Sequence, residues 1–63
     1  MVNTIVANVI NNAKRMSKLR SLKGSQDIRN KAESYVIGEA ATLHAKLSRE
    51  DVIKAAVLVA NAV

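Results

Sequence analysis

The chain contains no cysteine, proline, tryptophan or phenylalanine, and its only aromatic residue is Tyr35. Without cysteine it forms neither a disulfide nor a thiolate-bound metal site. With one aromatic ring it has no series of rings on which the bases of a single strand could stack. The core must therefore be built from Val, Ile, Leu and Ala.

Patterns for catalysis and metal binding are equally scarce. The only histidine is His44, whereas a nucleophile needs an adjacent base and a zinc site needs several convergent ligands. Glycine motifs that cradle phosphate are absent, because Gly24 and Gly38 stand alone. We therefore expect a protein that is not an enzyme, with no cofactor and no metal, in which His44 is a solvated helix residue.

Long hydrophobic runs are missing as well. The longest, near the C-terminus, is about half of the ~20 residues that cross a bilayer. Asparagines such as Asn3 and Asn8 interrupt the apolar N-terminal segment, unlike the core of a secretory signal. We expect a soluble, cytoplasmic protein that does not partner with membranes.

Size limits how the core can form, because the chain has 63 residues. A domain this small lies near the lower limit for burying an adequate core alone. From Val52 to Val63 only Lys54 and Asn61 are polar, so a helix there is apolar around most of its circumference. We expect residues 1–63 to form a single helical domain that completes its core by self-association.

The first predicted helix begins at residue 2, and its apolar residues follow three- and four-residue steps up to Met16. The pattern breaks there. The helix either stops near Ser17 or continues irregularly to Lys23, with Gly24 as a left-handed C-cap residue. An extended segment over 18–22 is a third possibility, and we favour the continued helix.

Two further helices are predicted after Gly24. Ser25 is a suitable N-cap for a long central helix that runs to about Lys46, and Ser48 is a suitable N-cap for a short apolar one. Ser48 and Asp51 have the spacing of a capping box with Asp in place of Glu. The prediction is an all-α fold of three helices.

Self-association of these helices defines the predicted assembly, an intertwined homodimer. Gly38 and Ala41 lie on a stripe of small residues in the central helix, where a second backbone could approach closely. The expected interface residues lie on the last helix and on that stripe: Val52, Ile53, Ala56, Val59, Val63, Gly38 and Ala41.

Positive charge is concentrated in one segment. Ten basic and five acidic residues give a net charge of +5, and from Gly24 onward the two signs balance. The excess comes from five residues, which form the basic segment: Lys14, Arg15, Lys18, Arg20 and Lys23. Such a segment can contact the phosphates of DNA. The alternative is a solvated helix end whose cations complement the helix dipole.

Two resemblances arise at the C-terminal helix. Residues 47 to 58, LSREDVIKAAVL, resemble the second helix of ribbon-helix-helix repressors. That resemblance implies a dimer with a two-stranded ribbon in the major groove, on which Lys18 and Arg20 would read bases. The short, long, short helix order, with Glu50 and Asp51 opening the last helix, resembles a histone fold. Each resemblance covers about half of the chain or less, so we assign no family.

These observations favour a small DNA-binding protein, regulatory or architectural, that acts as a homodimer through the basic segment. The alternative is a protein-interaction module, such as an inhibitor, adaptor or assembly subunit, whose apolar helices dock on a larger protein.

Overall fold

The computed structural model describes residues 1–63 and contains four α-helices and no strand. The helices are α1 (Val2–Ile10), α2 (Ala13–Ser21), α3 (Ser25–Thr42) and α4 (Arg49–Asn61). The predicted all-α class is confirmed, whereas the predicted number of three helices is wrong. The intertwined homodimer stays a prediction.

The fourth helix arises because the first predicted helix is divided at Asn11 and Asn12. Asn12 has an extended backbone, and its side-chain oxygen accepts a hydrogen bond from the backbone N–H of Arg15 at 3.0 Å. Asparagine is among the best N-cap residues and a poor residue for helix interiors. Because α2 starts a new register here, Leu19 lies on its buried side and Arg20 is exposed.

Of the three possibilities for the segment after Met16, the favoured one is confirmed in that a helix continues past Ser17, but the details of its connection to α3 differ. Ser21 ends α2, Leu22 is extended, and Gly24 has a φ of −94° as the N-cap residue of α3. Gly24 is therefore not a left-handed C-cap residue, and Ser25 is the first residue of α3 rather than its N-cap. The extended alternative for 18–22 is also wrong, since α2 continues to Ser21.

The central helix ends at Thr42, four residues before the predicted Lys46. His44 has a φ of 55°, and two backbone hydrogen bonds close the turn: His44 N–H to Ala41 at 3.1 Å and Ala45 N–H to Ala40 at 2.8 Å. This is a Schellman ending, in which a left-handed residue follows the helix. Histidine adopts that conformation less readily than glycine, so the sequence gives little warning of it.

The predicted N-cap of the last helix is confirmed. The Ser48 hydroxyl accepts a hydrogen bond from the backbone N–H of Asp51 at 3.1 Å. Arg49 also pairs with Glu33 of α3 at 2.9 Å. These contacts fix the start of α4 against the central helix.

The core lies between all four helices. α1 and α3 form the centre, and α2 and α4 each pack against both of them while contacting one another marginally at most. Eleven side chains are buried: Ile5, Val9, Met16, Leu19, Ala32, Val36, Ala40, Val52, Ala55, Ala56 and Val59. Alanines on the facing sides of α3 and α4 let these helices approach closely. The basic helix and the apolar helix thus lie on different sides of the α1/α3 pair.

The apolar helix α4 is enclosed on one side only. Val52 and Val59 are buried by the rest of the same chain, whereas Ile53 and Leu58 are 44% and 47% exposed. The same chain therefore buries one side of this apolar helix. The other side is an uncovered apolar face.

Candidate nucleic-acid interface

The basic segment forms an exposed surface on and just after α2. Met16 and Leu19 turn into the core, and this places Lys14 and Lys18, one turn apart, on the solvent side. Arg20 is exposed on a different side of α2, and Lys23 is exposed in the extended connection to α3. None of these four cations is in an ion pair. We call them the free cations.

Arg15, the fifth predicted contact, is held inside the chain. Its guanidinium Nη1 lies 2.9 Å from Oε1 of Glu39, and the two side chains retain 26% and 14% exposure. Asn8 donates from Nδ2 to the other carboxylate oxygen at 3.0 Å. Glu39 on α3 thereby connects α1 and α2, so Arg15 positions the basic helix and its charge is matched within the fold.

This network shifts the ionisation of Glu39. The hydrogen bond from Arg15 lowers the pKa of the carboxyl below its ordinary value of 4.5, the hydrogen bond from Asn8 and the positive charge of Arg15 act in the same direction, and desolvation opposes them. The carboxylate therefore stays ionised to a lower pH in the folded chain than in the unfolded chain.

We expect Glu39→Gln to remove part of the acid sensitivity of the fold. Because the folded pKa is lowered, the ionised carboxylate stabilises the fold above the unfolded pKa, and this contribution disappears as pH falls through the folded pKa. Thermal unfolding followed by circular dichroism, from neutral pH to below 4.5, should show a smaller acid loss for Glu39→Gln than for wild type. Asp27→Asn, which removes a carboxylate outside any ion pair, is the control, and an equal effect of both variants would contradict the assignment.

Tyr35 joins α3 to the basic surface. The Arg15 guanidinium carbon lies 5.3 Å from the centroid of its ring, and Nζ of Lys31 lies 5.5 Å from it. Both distances are within the range of cation–π attraction. Lys31 is not among the residues predicted from sequence for this surface; its four-residue spacing to Tyr35 was the available signal. The positive surface therefore extends from α2 onto α3.

Position along α2 separates the two explanations offered for the basic segment. Lys18 and Arg20 lie in the last turn of the helix, where cations complement the helix dipole. Lys14 lies in the first turn, where the same dipole disfavours a cation. Interaction with the helix dipole therefore explains the positions of Lys18 and Arg20 but not that of Lys14. Between residues 13 and 31 there are seven basic residues and one acidic residue, Asp27.

The predicted interface residues do not lie on one surface. Val52, Ala56 and Val59 are buried within the chain, so assigning them to a contact between copies is corrected: they pack against α1 and α3. Ile53, Val63, Gly38 and Ala41 are exposed. Nothing lies within 4 Å of a Cβ placed on Gly38, so the close approach expected there does not occur within one chain.

Other kinds of site find no support in the geometry. No group of three or more His, Cys, Asp or Glu side chains converges on a point where a metal could bind. His44 is exposed, in the turn after α3 rather than on a helix. None of the four helices combines the length and the apolar character needed to cross a membrane.

The ribbon-helix-helix resemblance does not extend to the segment before α3. A ribbon would need a strand before α3, and α2 occupies that place, so the base-reading role implied for Lys18 and Arg20 has no ribbon to carry it. Comparison of the chain with protein-family models, curated proteins and solved structures gives no match.

Proposed function

We propose that the protein is a small, non-catalytic DNA-binding protein, regulatory or architectural, that acts as a homodimer. Its contact with DNA is through the free cations Lys14, Lys18, Arg20 and Lys23, and Lys31 extends the same surface. Lysine and arginine on a helix surface contact phosphates and carry little base specificity by themselves. The proposed binding is therefore governed by the DNA backbone.

The observation that supports this proposal is the set of four exposed cations, none of them in an ion pair, on and just after α2. Glu39, the acidic residue that contacts α2, is already neutralised by Arg15. Lys14 in particular occupies a position that the helix dipole makes unfavourable. A phosphate group bound beside it would relieve that cost.

The test is the salt dependence of binding to a short duplex. Each phosphate contact contributes a slope of about −0.9 to a plot of log affinity against log salt. Lys14→Gln combined with Lys18→Gln removes two contacts from each chain, so we expect the slope to become shallower by about 2 for each chain that binds. Fluorescence anisotropy of labelled DNA over a salt series measures it.

A matched control removes the same charge elsewhere. Arg29 borders α4 rather than α2, and Lys46 is exposed in the loop before α4. Arg29→Gln combined with Lys46→Gln should leave most of the slope unchanged. If the two double variants lose the same affinity, only net charge matters and the assignment to the basic segment fails.

A further inference from the structure

The exposed side of α4 carries an apolar surface that the fold leaves uncovered. Ile53, Val57 and Leu58 surround Lys54 in a shallow depression of about 350 Å³, and their exposures range from 37% to 47%. A second groove of about 210 Å³ runs beside the start of α4 and includes Ile37, Leu47 and Val52 among its lining residues.

We propose that this side of α4, the α4 face, binds a second copy of the chain, with the two α4 helices antiparallel about a twofold axis. The inference rests on the proposed function in one respect, since it assigns the contact of the proposed homodimer. It moves that contact from the predicted residues Val52, Ala56 and Val59, which are internal, to the opposite side of the same helix.

Charge favours a second copy at this position. Within α4 two basic and two acidic residues balance, whereas the basic segment is strongly positive. Two chains that met through α2 would repel each other, and two that met through α4 would not. The α4 face is therefore the side on which copies of a chain with net charge +5 can associate.

The order of the charges also selects the direction of pairing. Glu50 and Lys54 lie one turn apart on the exposed side of α4. A parallel pair would place Glu50 beside Glu50 of the partner subunit and Lys54 beside the partner's Lys54. An antiparallel pair alternates the two signs. Twofold symmetry allows the antiparallel arrangement, because such an interface brings residue i to j and j to i.

The size of the surface suits a dimer. A specific interface buries at least about 600 Å² of each partner, roughly a seventh of the 4152 Å² surface of this chain. A helix of 13 residues is about 20 Å long, and the groove beside Val52 extends the apolar surface onto α3. With the twofold axis beside Ile53, Ile53 meets the partner's Ile53 and each Leu58 reaches the apolar groove of the other chain, so apolar meets apolar.

This dimer leaves the DNA-binding surface free. α2 and α4 flank the α1/α3 pair and share at most a marginal contact. Joining two chains through α4 therefore covers none of Lys14, Lys18, Arg20 or Lys23. Both basic segments therefore stay exposed, one at each end of the dimer.

Sedimentation equilibrium tests the assignment on wild type and three variants. Leu58→Asp should raise the dimer dissociation constant by about a hundredfold, the effect of placing a charge at a central apolar contact. Ala7→Asp on the exposed side of α1 and Ser34→Asp on the exposed side of α3 add the same charge elsewhere. Both should dimerise like wild type, and circular dichroism should show all four proteins helical.

A second pair of variants tests the direction of packing. Lys54→Glu should weaken the dimer by placing acidic residues together, and Lys54→Glu combined with Glu50→Lys should restore it. Dissociation constants are the readout, because an effect confined to one chain would not depend on protein concentration.

Several results would overturn the proposal. These are a monomeric wild type, in which case the α4 face would bind a different protein; a dimer that Leu58→Asp leaves intact; a dimer that only Ser34→Asp disrupts; and an open series of larger oligomers. Because association is measured without DNA, its failure is distinct from failure of the proposed function. A dimer that does not bind DNA would refute the DNA contact and leave the α4 contact standing. A monomer that binds DNA with the expected salt slope would refute the dimer and leave the DNA contact through the free cations standing.

Discussion

Replacing Val59 by aspartate is expected to unfold the chain, whereas the same replacement at Leu58 should leave its helices intact. Val59 is fully buried. An unpaired carboxylate there must either lose its hydration or become protonated, and both are unfavourable at neutral pH. Substitutions of this kind cost more than about 4 kcal/mol. A chain of this length has a total stability of about 3 to 9 kcal/mol, so little or no folded protein should remain.

Leu58 is the matched control because it lies one residue away on the same helix and is 47% exposed. Aspartate in place of leucine costs about 0.5 kcal/mol of helix propensity, and a negative charge near a helix C-terminus adds a few tenths, for a total of about 1 kcal/mol. Both variants carry the dipole cost, whereas the propensity cost falls on Leu58→Asp, because valine and aspartate have similar helix propensities. A larger loss for Val59→Asp is therefore due to burial.

Far-ultraviolet circular dichroism and thermal unfolding measure the two variants directly. Helical signal that is lost for Val59→Asp and kept for Leu58→Asp would confirm which side of α4 faces the core. If both variants unfold, the α4 face is as essential to folding as the core, and a single chain is not the folding unit. If both stay folded, Val59 is not where the fold places it.

The apolar pattern of α4 shows why sequence alone could not make this distinction. A helix that is apolar around most of its circumference can be buried on any side, and periodicity does not select one. The position of α1 and α3 decides, by covering Val59 and leaving Leu58 open. The start of the same helix was predictable, because the Ser48 cap depends on neighbouring residues only.

The break between α1 and α2 was hidden for a related reason. Val9, Ala13 and Met16 keep helical spacing across Asn11 and Asn12, so the apolar stripe continues through the break. The decisive feature is the cap at Asn12, which is a local signal that the stripe obscured. The end of α3 was hidden by His44, a residue that rarely takes the left-handed conformation that glycine takes freely.

The basic surface was predictable in composition and not in detail. Charge counting located Lys14, Lys18, Arg20 and Lys23, because an excess of one sign in a short segment is visible in sequence. The contact of Arg15 with Glu39 joins residues 24 positions apart, which no local spacing indicates. Folding thereby turns one predicted phosphate contact into a positioning residue, and brings Lys31 from another helix to the same surface.

Leu19→Ala is expected to release the basic helix from the rest of the chain. Only Met16 and Leu19 of α2 are buried, and Leu19 is completely so. Truncation of a buried leucine costs about 2 to 5 kcal/mol. A helix of nine residues is too short to be stable without packing, since isolated helices need at least about 12 to 15 residues. Loss of this contact should therefore unfold α2. Because the total free energy of unfolding of the chain is small, much of the remaining fold should unfold as well.

Leu22→Ala provides the comparison, because Leu22 is a half-buried leucine just beyond the same helix and should cost less than half as much. Amide hydrogen exchange, measured for individual residues, shows how far the unfolding extends. Rapid exchange confined to α2 in Leu19→Ala would show that the basic helix opens as a local unit, and rapid exchange throughout would show that all four helices unfold together. Equal protection of α2 in the two variants would mean that Leu19 does not anchor it, and the orientation of the free cations would then need another cause.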